Sequence, residues 1–237
     1  SFAALCAAGQ SADFWIEGSR TVVDQSGRRL DVEKPFGRII SLYGAHTENL
    51  FALGGRELII GVSPNEDYPP EAAGKPVFSY HDDPEKFLAA RPDLVLTRPM
   101  IDRGYPRLVQ RLEKSGIAVV SLQPGTVAEM AVYWRILGIL TGREDRAMAM
   151  TERFKRAVAE LQALTAPVQP KKRVYFEAVH SKMKTFSPDS MAVFALEAAG
   201  GINIAGDALP VRDTNIAAYG KERILARAAD IDVFLAQ

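Results

Sequence analysis

Two short apolar runs, Ile39-Ile-Ser-Leu42 and Leu58-Ile-Ile-Gly-Val62, constrain this chain more than any other feature, because only one helix-length stretch separates them. Continuous apolar runs of this length read as strands buried on both faces. Between them, Tyr43-Gly44-Ala45 reads as a tight turn. A helix then follows, with Thr47 and Glu48 in its first turn, Leu50, Phe51 and Leu53 inward, and Gly54-Gly55 closing it. The result is a βαβ unit with a very short helix, which calls for parallel strands. A carboxylate at the exposed start of such a helix favours the dipole and is also free to face a partner.

The alternation continues downstream. Asp83 and Pro84 read as the N-cap and first position of a helix ending near Ala90, and Asp93–Thr97 is the next strand. Tyr105–Ser115 is amphipathic, with Leu108, Val109 and Leu112 on one face. Gly116 stops it before the strand Ile117–Ser121. Thr126 and Glu129 form a capping box that opens a helix to about Leu140. After Gly142, a longer helix runs from about Glu144 to Leu164, its buried stripe marked by Ala147, Met150, Phe154, Val158 and Leu161. At 1.5 Å per residue it spans on the order of 30 Å, enough to bridge two lobes. Lys172–Val179 opens a second strand–helix series, with helices at Met191–Ala199 and Glu222–Ala229 and a strand at Ile231–Leu235. Upstream, Thr21–Val32 reads as a hairpin turning at Ser26-Gly27.

The expected architecture is α/β: two Rossmann-like lobes joined by a long bridging helix, the second lobe incomplete at its C-terminal end. The expected boundaries are 1–20 for a leader remnant or disordered segment, 21–125 for the N-terminal lobe, 126–166 for the bridging helices and 167–237 for the C-terminal lobe. Two clear strands would leave that last lobe with an exposed apolar edge, so either residues beyond 237 or another copy of the chain is expected to complete it, the first being the favoured reading.

Composition excludes several classes. Lys+Arg and Asp+Glu both number 29, so no electrostatic case exists for nucleic acid or an anionic membrane. Cys6 is the only cysteine, which rules out an intramolecular disulfide and a cysteine-cluster metal site. The small apolar start, Ser1–Ala12, reads as the tail of a secretory signal. Ala-Ala-Leu-Cys6 approaches a lipoprotein box, with Leu5 where a small residue belongs. No stretch approaches the ~20 apolar residues of a membrane span. The chain carries no G-x-S-x-G, Walker loop, H-E-x-x-H or G-x-G-x-x-G motif. Three histidines and one cysteine leave little for an enzyme of this size.

Three segments in order, T-E-x-L-F-A-L-G, then I-G-V-S with Asp67-Tyr68-Pro69-Pro70-Glu-Ala, then P-E-K-F-L-A-A-R-P-D-L-V-L, resemble the class III substrate-binding proteins of ABC importers. The resemblance runs from about Thr21 to Gln237. It implies a protein exported from the cytoplasm that carries cobalamin, haem or a ferric siderophore to a membrane permease, with a small hinge movement about a stiff helix. It implies no catalysis and no resident cofactor, the bound ligand being an iron- or cobalt-containing chelate. A bare oxyanion or metal ion is the alternative ligand, and an α/β enzyme subunit the alternative role. Glu48 in T-E-x-L and Glu222 in E-x-x-L-A-R occupy the positions that dock on permease arginines in the family. Spacing alone equally allows two ordinary first-turn glutamates.

The ligand is expected between the lobes, at the carboxyl ends of the strands. On the first lobe the candidates are Tyr43 and His46, Tyr80 and His81, and Arg98. The resemblance places an aromatic contact at Tyr80-His81. On the second lobe, His180 and Lys182, with Lys184 nearby, form a basic loop suited to an anionic ligand, and Arg212 and Tyr219 lie in the irregular stretch before Glu222. Each has a plainer reading as a solvated loop residue.

Overall fold

The computed structural model describes residues 13–211 and 214–236. The chain divides into two compact units. Among the described residues, the first comprises 13–124 and 131–151, the second 125–130, 152–211 and 214–236.

The first unit is built on a four-stranded, all-parallel sheet: β4 (Ile39–Ser41), β5 (Ile59–Gly61), β6 (Leu94–Thr97) and β7 (Ala118–Ser121), in the order β5-β4-β6-β7. Every residue of β4 and β6 is buried, as both apolar runs require. Helices α1 (Gly44–Ala52), α2 (Pro84–Ala90), α3 (Pro99–Gly104) and α4 (Pro106–Lys114) connect the strands. Local rules explain their ends. Asp83 accepts the backbone N–H of Glu85 at 2.9 Å with Pro84 in the first position, and Arg91 closes α2 in the left-handed region. Leu108, Val109 and Leu112 of α4 enter a core shared with Phe87, Val95, Ile101 and Val119.

A three-stranded antiparallel sheet precedes this lobe: β1 (Trp15–Glu17), β2 (Thr21–Val23) and β3 (Arg29–Asp31). The β2–β3 hairpin is the expected one, and Gly27 takes the positive φ (77°) its turn requires. β1 corrects the expectation that residues up to 20 are leader or disordered. Phe14 is fully buried, and β1 pairs with β2 through Trp15↔Val23. The hairpin is tied to the parallel sheet by Asp24, which is 1% exposed. Its carboxylate accepts the N–H groups of Ser26 and Arg28 at 2.9 Å, the Arg28 Nε at 2.9 Å and the Ser121 N–H at 2.8 Å.

Helices α5 (Val127–Thr141) and α6 (Glu144–Thr165) each contribute residues to both units. The capping box forms: Thr126 Oγ1 accepts the Glu129 N–H at 3.3 Å, and Glu129 returns a carboxylate oxygen to the Gly125 N–H at 2.6 Å. Gly142 separates the helices at φ 66°, and a Cβ there would lie 2.7 Å from Pro35. Along α6, Ala147, Met150 and Val158 are buried as expected, whereas Leu161 and Leu164 are exposed.

The second unit contains a six-stranded mixed sheet: β8 (Arg173–Val179), β9 (Lys184–Phe186), β10 (Ile202–Asn203), β11 (Leu209–Pro210), β12 (Ile216–Ala218) and β13 (Val233–Leu235). β8 runs parallel to β10 and β13 and antiparallel to β9. Two strands were expected here. Five of the six have two or three residues, too few to show a period in the sequence. Helices α7 (Met191–Ala198) and α8 (Lys221–Ala226) belong to this unit. Its core gathers Tyr175, Ile204, Ala205, Ala208, Ala217 and Tyr219.

Removing the buried carboxylate at Asp24 strands four donors. Asp24→Ala is therefore expected to lower the unfolding free energy by about 3–5 kcal/mol, read as a lower denaturant midpoint at unchanged slope. A midpoint shift worth under about 1 kcal/mol, within the range of an ordinary surface ion pair, would contradict the role assigned to this residue.

Candidate functional site

Adjacent parallel strands deliver their following residues to the same edge of the sheet. β4 ends into Tyr43, whose extended backbone (φ −153°, ψ 125°) precedes α1. Its neighbour β6 ends into Arg98, which precedes α3 in the same manner (φ −130°, ψ 161°). The Arg98 guanidinium consequently lies 4.7 Å from the centre of the Tyr43 ring. Both side chains are half-buried, and no carboxylate pairs with Arg98 among the described residues. A cation over a ring is worth ~0.5–2 kcal/mol, which fixes the guanidinium without neutralising it.

Tyr80 and His81 lie at the tip of a turn closed by Asp82, whose carboxylate accepts the Ser79 N–H at 2.8 Å. The Lys86 ammonium and that N–H hold the Asp82 carboxyl below the usual range. Tyr105 joins the pair from the start of α4. The Tyr80 ring lies 4.6 Å from His81 and 4.7 Å from Tyr105, and the His81 and Tyr105 rings meet edge-on at 5.0 Å. The Tyr105 hydroxyl lies 3.2 Å from His81 Nδ1. Tyr105 was not among the sequence candidates. The signal was an aromatic residue before proline at a helix start, read only as a boundary.

Two candidates are corrected. His46 is fully buried rather than turned to a ligand. Its Nε2 donates to the Thr97 carbonyl at 2.8 Å, so Nδ1 accepts the Tyr133 hydroxyl at 2.8 Å, and both ring nitrogens are satisfied. Burial pushes its pKa down to about 4, against the opposing Thr97 bond and with help from nearby Arg98. The same burial raises the Tyr133 phenol well above its ordinary range. Tyr219 is likewise buried, 5.6 Å from the Tyr175 ring and beneath the Arg223 guanidinium at 4.3 Å. Arg212 lies outside the described residues, as does Cys6.

Glu48 is exposed, but α1 starts at Gly44, so Glu48 sits in the second turn. The helix-dipole account of it therefore lapses. Glu222 is exposed in the first turn of α8, next to Gly220 at φ 91°. His180 and Lys182 form one 3₁₀ turn after β8 and are both exposed, whereas Lys184 belongs to β9. Sequence reasoning also passed over Glu177, a carboxylate within an apolar strand. It is fully buried, and its Oε2 accepts His180 Nδ1 at 2.8 Å. Among the described residues no three His, Cys, Asp or Glu side chains gather as a metal site, and no helix is long and apolar enough to cross a membrane.

A family profile described as periplasmic binding protein matches residues 39–237. The chain belongs to this family. It has the α/β fold of the class III substrate-binding proteins. A cobalamin-binding protein of Halobacterium salinarum is 30% identical over 193 residues, covering 79% of this chain and 51% of the relative. An uncharacterized ABC transporter substrate-binding lipoprotein of Bacillus subtilis is 26% identical over 161 residues, covering 66% and 51%. The chain thus spans about half the length of these curated relatives. A crystal structure of a possible iron-binding (periplasmic solute-binding) protein from Staphylococcus epidermidis matches with a TM-score of 0.74 at 27% identity, covering 85% of this chain and 77% of that one. The family and the lipoprotein relative point to an extracytoplasmic location.

The His46 shift carries a pH signature. Its folded pKa is depressed, so the unfolded chain takes up the proton first, and stability is complete above the unfolded value near 6.5. It is then lost as pH falls toward 4, by on the order of 3 kcal/mol. Chemical denaturation of the wild type and His46→Asn between pH 7.5 and 4.5 should show a shallower decline in the variant. Identical slopes would contradict the buried neutral imidazole.

Proposed function

We propose that this chain is the substrate-binding component of an ABC importer and captures a metal chelate that it hands unchanged to a membrane permease. The observation that carries this reading is the unpaired Arg98 guanidinium held over Tyr43 at two adjoining strand ends. A fixed cation beside an aromatic face suits a ligand with a broad apolar body and an anionic edge, as in haem propionates or a carboxylate-bearing siderophore. The Tyr80, His81 and Tyr105 rings add flat apolar area to the same unit. Micromolar affinity requires ~8 kcal/mol, within reach of aromatic burial plus one or two charged contacts. On the second unit, His180 and Lys182 are the exposed candidates. The absence of a three-ligand cluster among the described residues weighs against a bare metal ion.

Glu48 and Glu222 serve as docking points for permease arginines. Both are exposed, one on each unit, and neither has an ion-pair partner among the described residues. Exposed pairs contribute only ~0–1 kcal/mol each, so their role is orientation of the carrier more than affinity. The protein acts outside the cytoplasm. The ligand leaves as it arrived, so no turnover is expected.

Two experiments test this reading. Arg98→Ala should weaken haemin binding about tenfold or more, on the order of 1.4 kcal/mol, in an absorbance titration, with the thermal midpoint nearly unmoved. Unchanged affinity for every anionic chelate would remove Arg98 from the site. Charge reversal of both Glu48 and Glu222 should abolish uptake in cells while leaving chelate affinity intact. Undiminished uptake would refute docking through these residues.

A further inference from the structure

His46 is more elaborate than a packing residue at its position needs to be. The ring is fully buried, its Nε2 donates to the Thr97 carbonyl at 2.8 Å, and its Nδ1 accepts the Tyr133 hydroxyl at 2.8 Å. Neither partner depends on it alone. The Thr97 carbonyl already accepts the Leu122 N–H at 3.1 Å, where the β6–β7 ladder ends, and the Tyr133 hydroxyl has the Ala45 carbonyl within 3.5 Å. Taking a polar ring out of water is unfavourable unless its nitrogens are matched, so an aliphatic side chain is the simpler filling for this space. The imidazole therefore calls for a function.

Both halves of the Tyr43–Arg98 pair meet on this ring. The Thr97 carbonyl belongs to the peptide group whose nitrogen is that of Arg98. A peptide group is planar, so holding its oxygen fixes the direction in which the Arg98 Cα leaves β6. The His46 ring also meets the Tyr43 ring edge-on, with centres 5.3 Å apart at 88°, and the His46 N–H donates to the Tyr43 carbonyl at 2.9 Å. Tyr133 of α5 fixes the tautomer. Its hydroxyl donates to Nδ1 and so leaves the proton on Nε2, the nitrogen that faces Thr97. The neutral ring adds no second cation beside Arg98, whose own charge disfavours an imidazolium there.

We infer that His46 is the positioning residue that sets this site's preference for a ligand with a carboxylate edge, by holding the Arg98 peptide group and the Tyr43 ring in a single arrangement. His46 touches no ligand itself. The guanidinium is a rigid, planar fork, and its bidentate contact with a carboxylate tolerates little rotation. Without the Thr97 bond Arg98 keeps its charge but loses its direction, so selectivity falls while apolar contact with the body of the ligand is retained. This inference rests on the carrier reading above and deepens it, by naming the residue that governs which edge chemistry the site accepts.

The test titrates the purified chain with haemin and with haemin dimethyl ester, which keeps the ring and the metal but has no carboxylate, followed by visible absorption. The wild type should bind haemin about tenfold or more tighter than the ester, and Arg98→Ala should level the two. His46→Leu should lower the preference about threefold or more with ester affinity unchanged. His46→Gln, whose amide can donate to the Thr97 carbonyl, should restore most of it. In the Arg98→Ala background His46→Leu should change nothing further. Should His46→Leu not fold, Tyr133→Phe decides, since it keeps the core filled but frees the ring: a lowered preference supports the inference and an unchanged one overturns it. A preference that survives His46→Leu, an equal loss for haemin and its ester, or the same loss with and without Arg98 would overturn the positioning role and leave the carrier reading standing. A wild type without preference would remove Arg98 from the site and the inference with it, and binding of neither ligand would count against the carrier reading as well.

Discussion

Four parallel strands buried on both faces must all emerge at one edge of their sheet, and much of the first unit follows from how that edge is managed. Just inside it lies a layer of buried polar groups, most of them hydrogen-bonded to one another. Thr47 Oγ1 donates to Ser41 Oγ at 2.8 Å, Ser41 Oγ donates to the Tyr43 carbonyl at 3.1 Å, and Thr97 Oγ1 donates to Asp102 at 2.7 Å. His46 completes the layer between the Thr97 carbonyl and Tyr133. Left unpaired, any of these would cost ~1–3 kcal/mol. Paired, they set the directions in which β4 and β6 leave the sheet, and hence bring Tyr43 and Arg98 together. The ligand site proposed for this chain rests on that placement.

What was legible in the sequence was local. Apolar runs marked β4 to β7, and capping chemistry marked Asp83 and the Thr126–Glu129 box, because each depends on residues a few positions apart. His46 could not be read in this way. Its partners, Thr97 and Tyr133, lie 51 and 87 residues away, and nothing in a turn histidine announces them. Glu48 was misplaced by one turn because α1 begins without a side-chain cap, so no residue signalled its start. β1 was hidden by its proximity to the small, apolar residues that open the sequence, although Phe14 anchors it in the core.

The second unit was less legible for a different reason. Its sheet is assembled from strands of two and three residues around the single long strand β8, and such pieces are defined by pairing partners rather than by periodicity. One signal there was available but passed over: a glutamate inside an otherwise apolar strand is an inconsistency between local pattern and burial. Glu177 and its exposed histidine are that inconsistency resolved in three dimensions. Tyr105 marks the reverse case, a residue whose boundary role obscured its contribution to an aromatic cluster.

The central claim is that this chain is a chelate carrier. Its most direct test is equilibrium titration of the purified protein with haemin, cobalamin and ferric siderophores, followed by recovery and mass analysis of the ligand. The account predicts one-to-one binding of at least one chelate with a dissociation constant of about 1 µM or tighter, and recovery of that chelate unaltered. No binding across the set, or a chemically changed ligand with sub-stoichiometric protein, would contradict it.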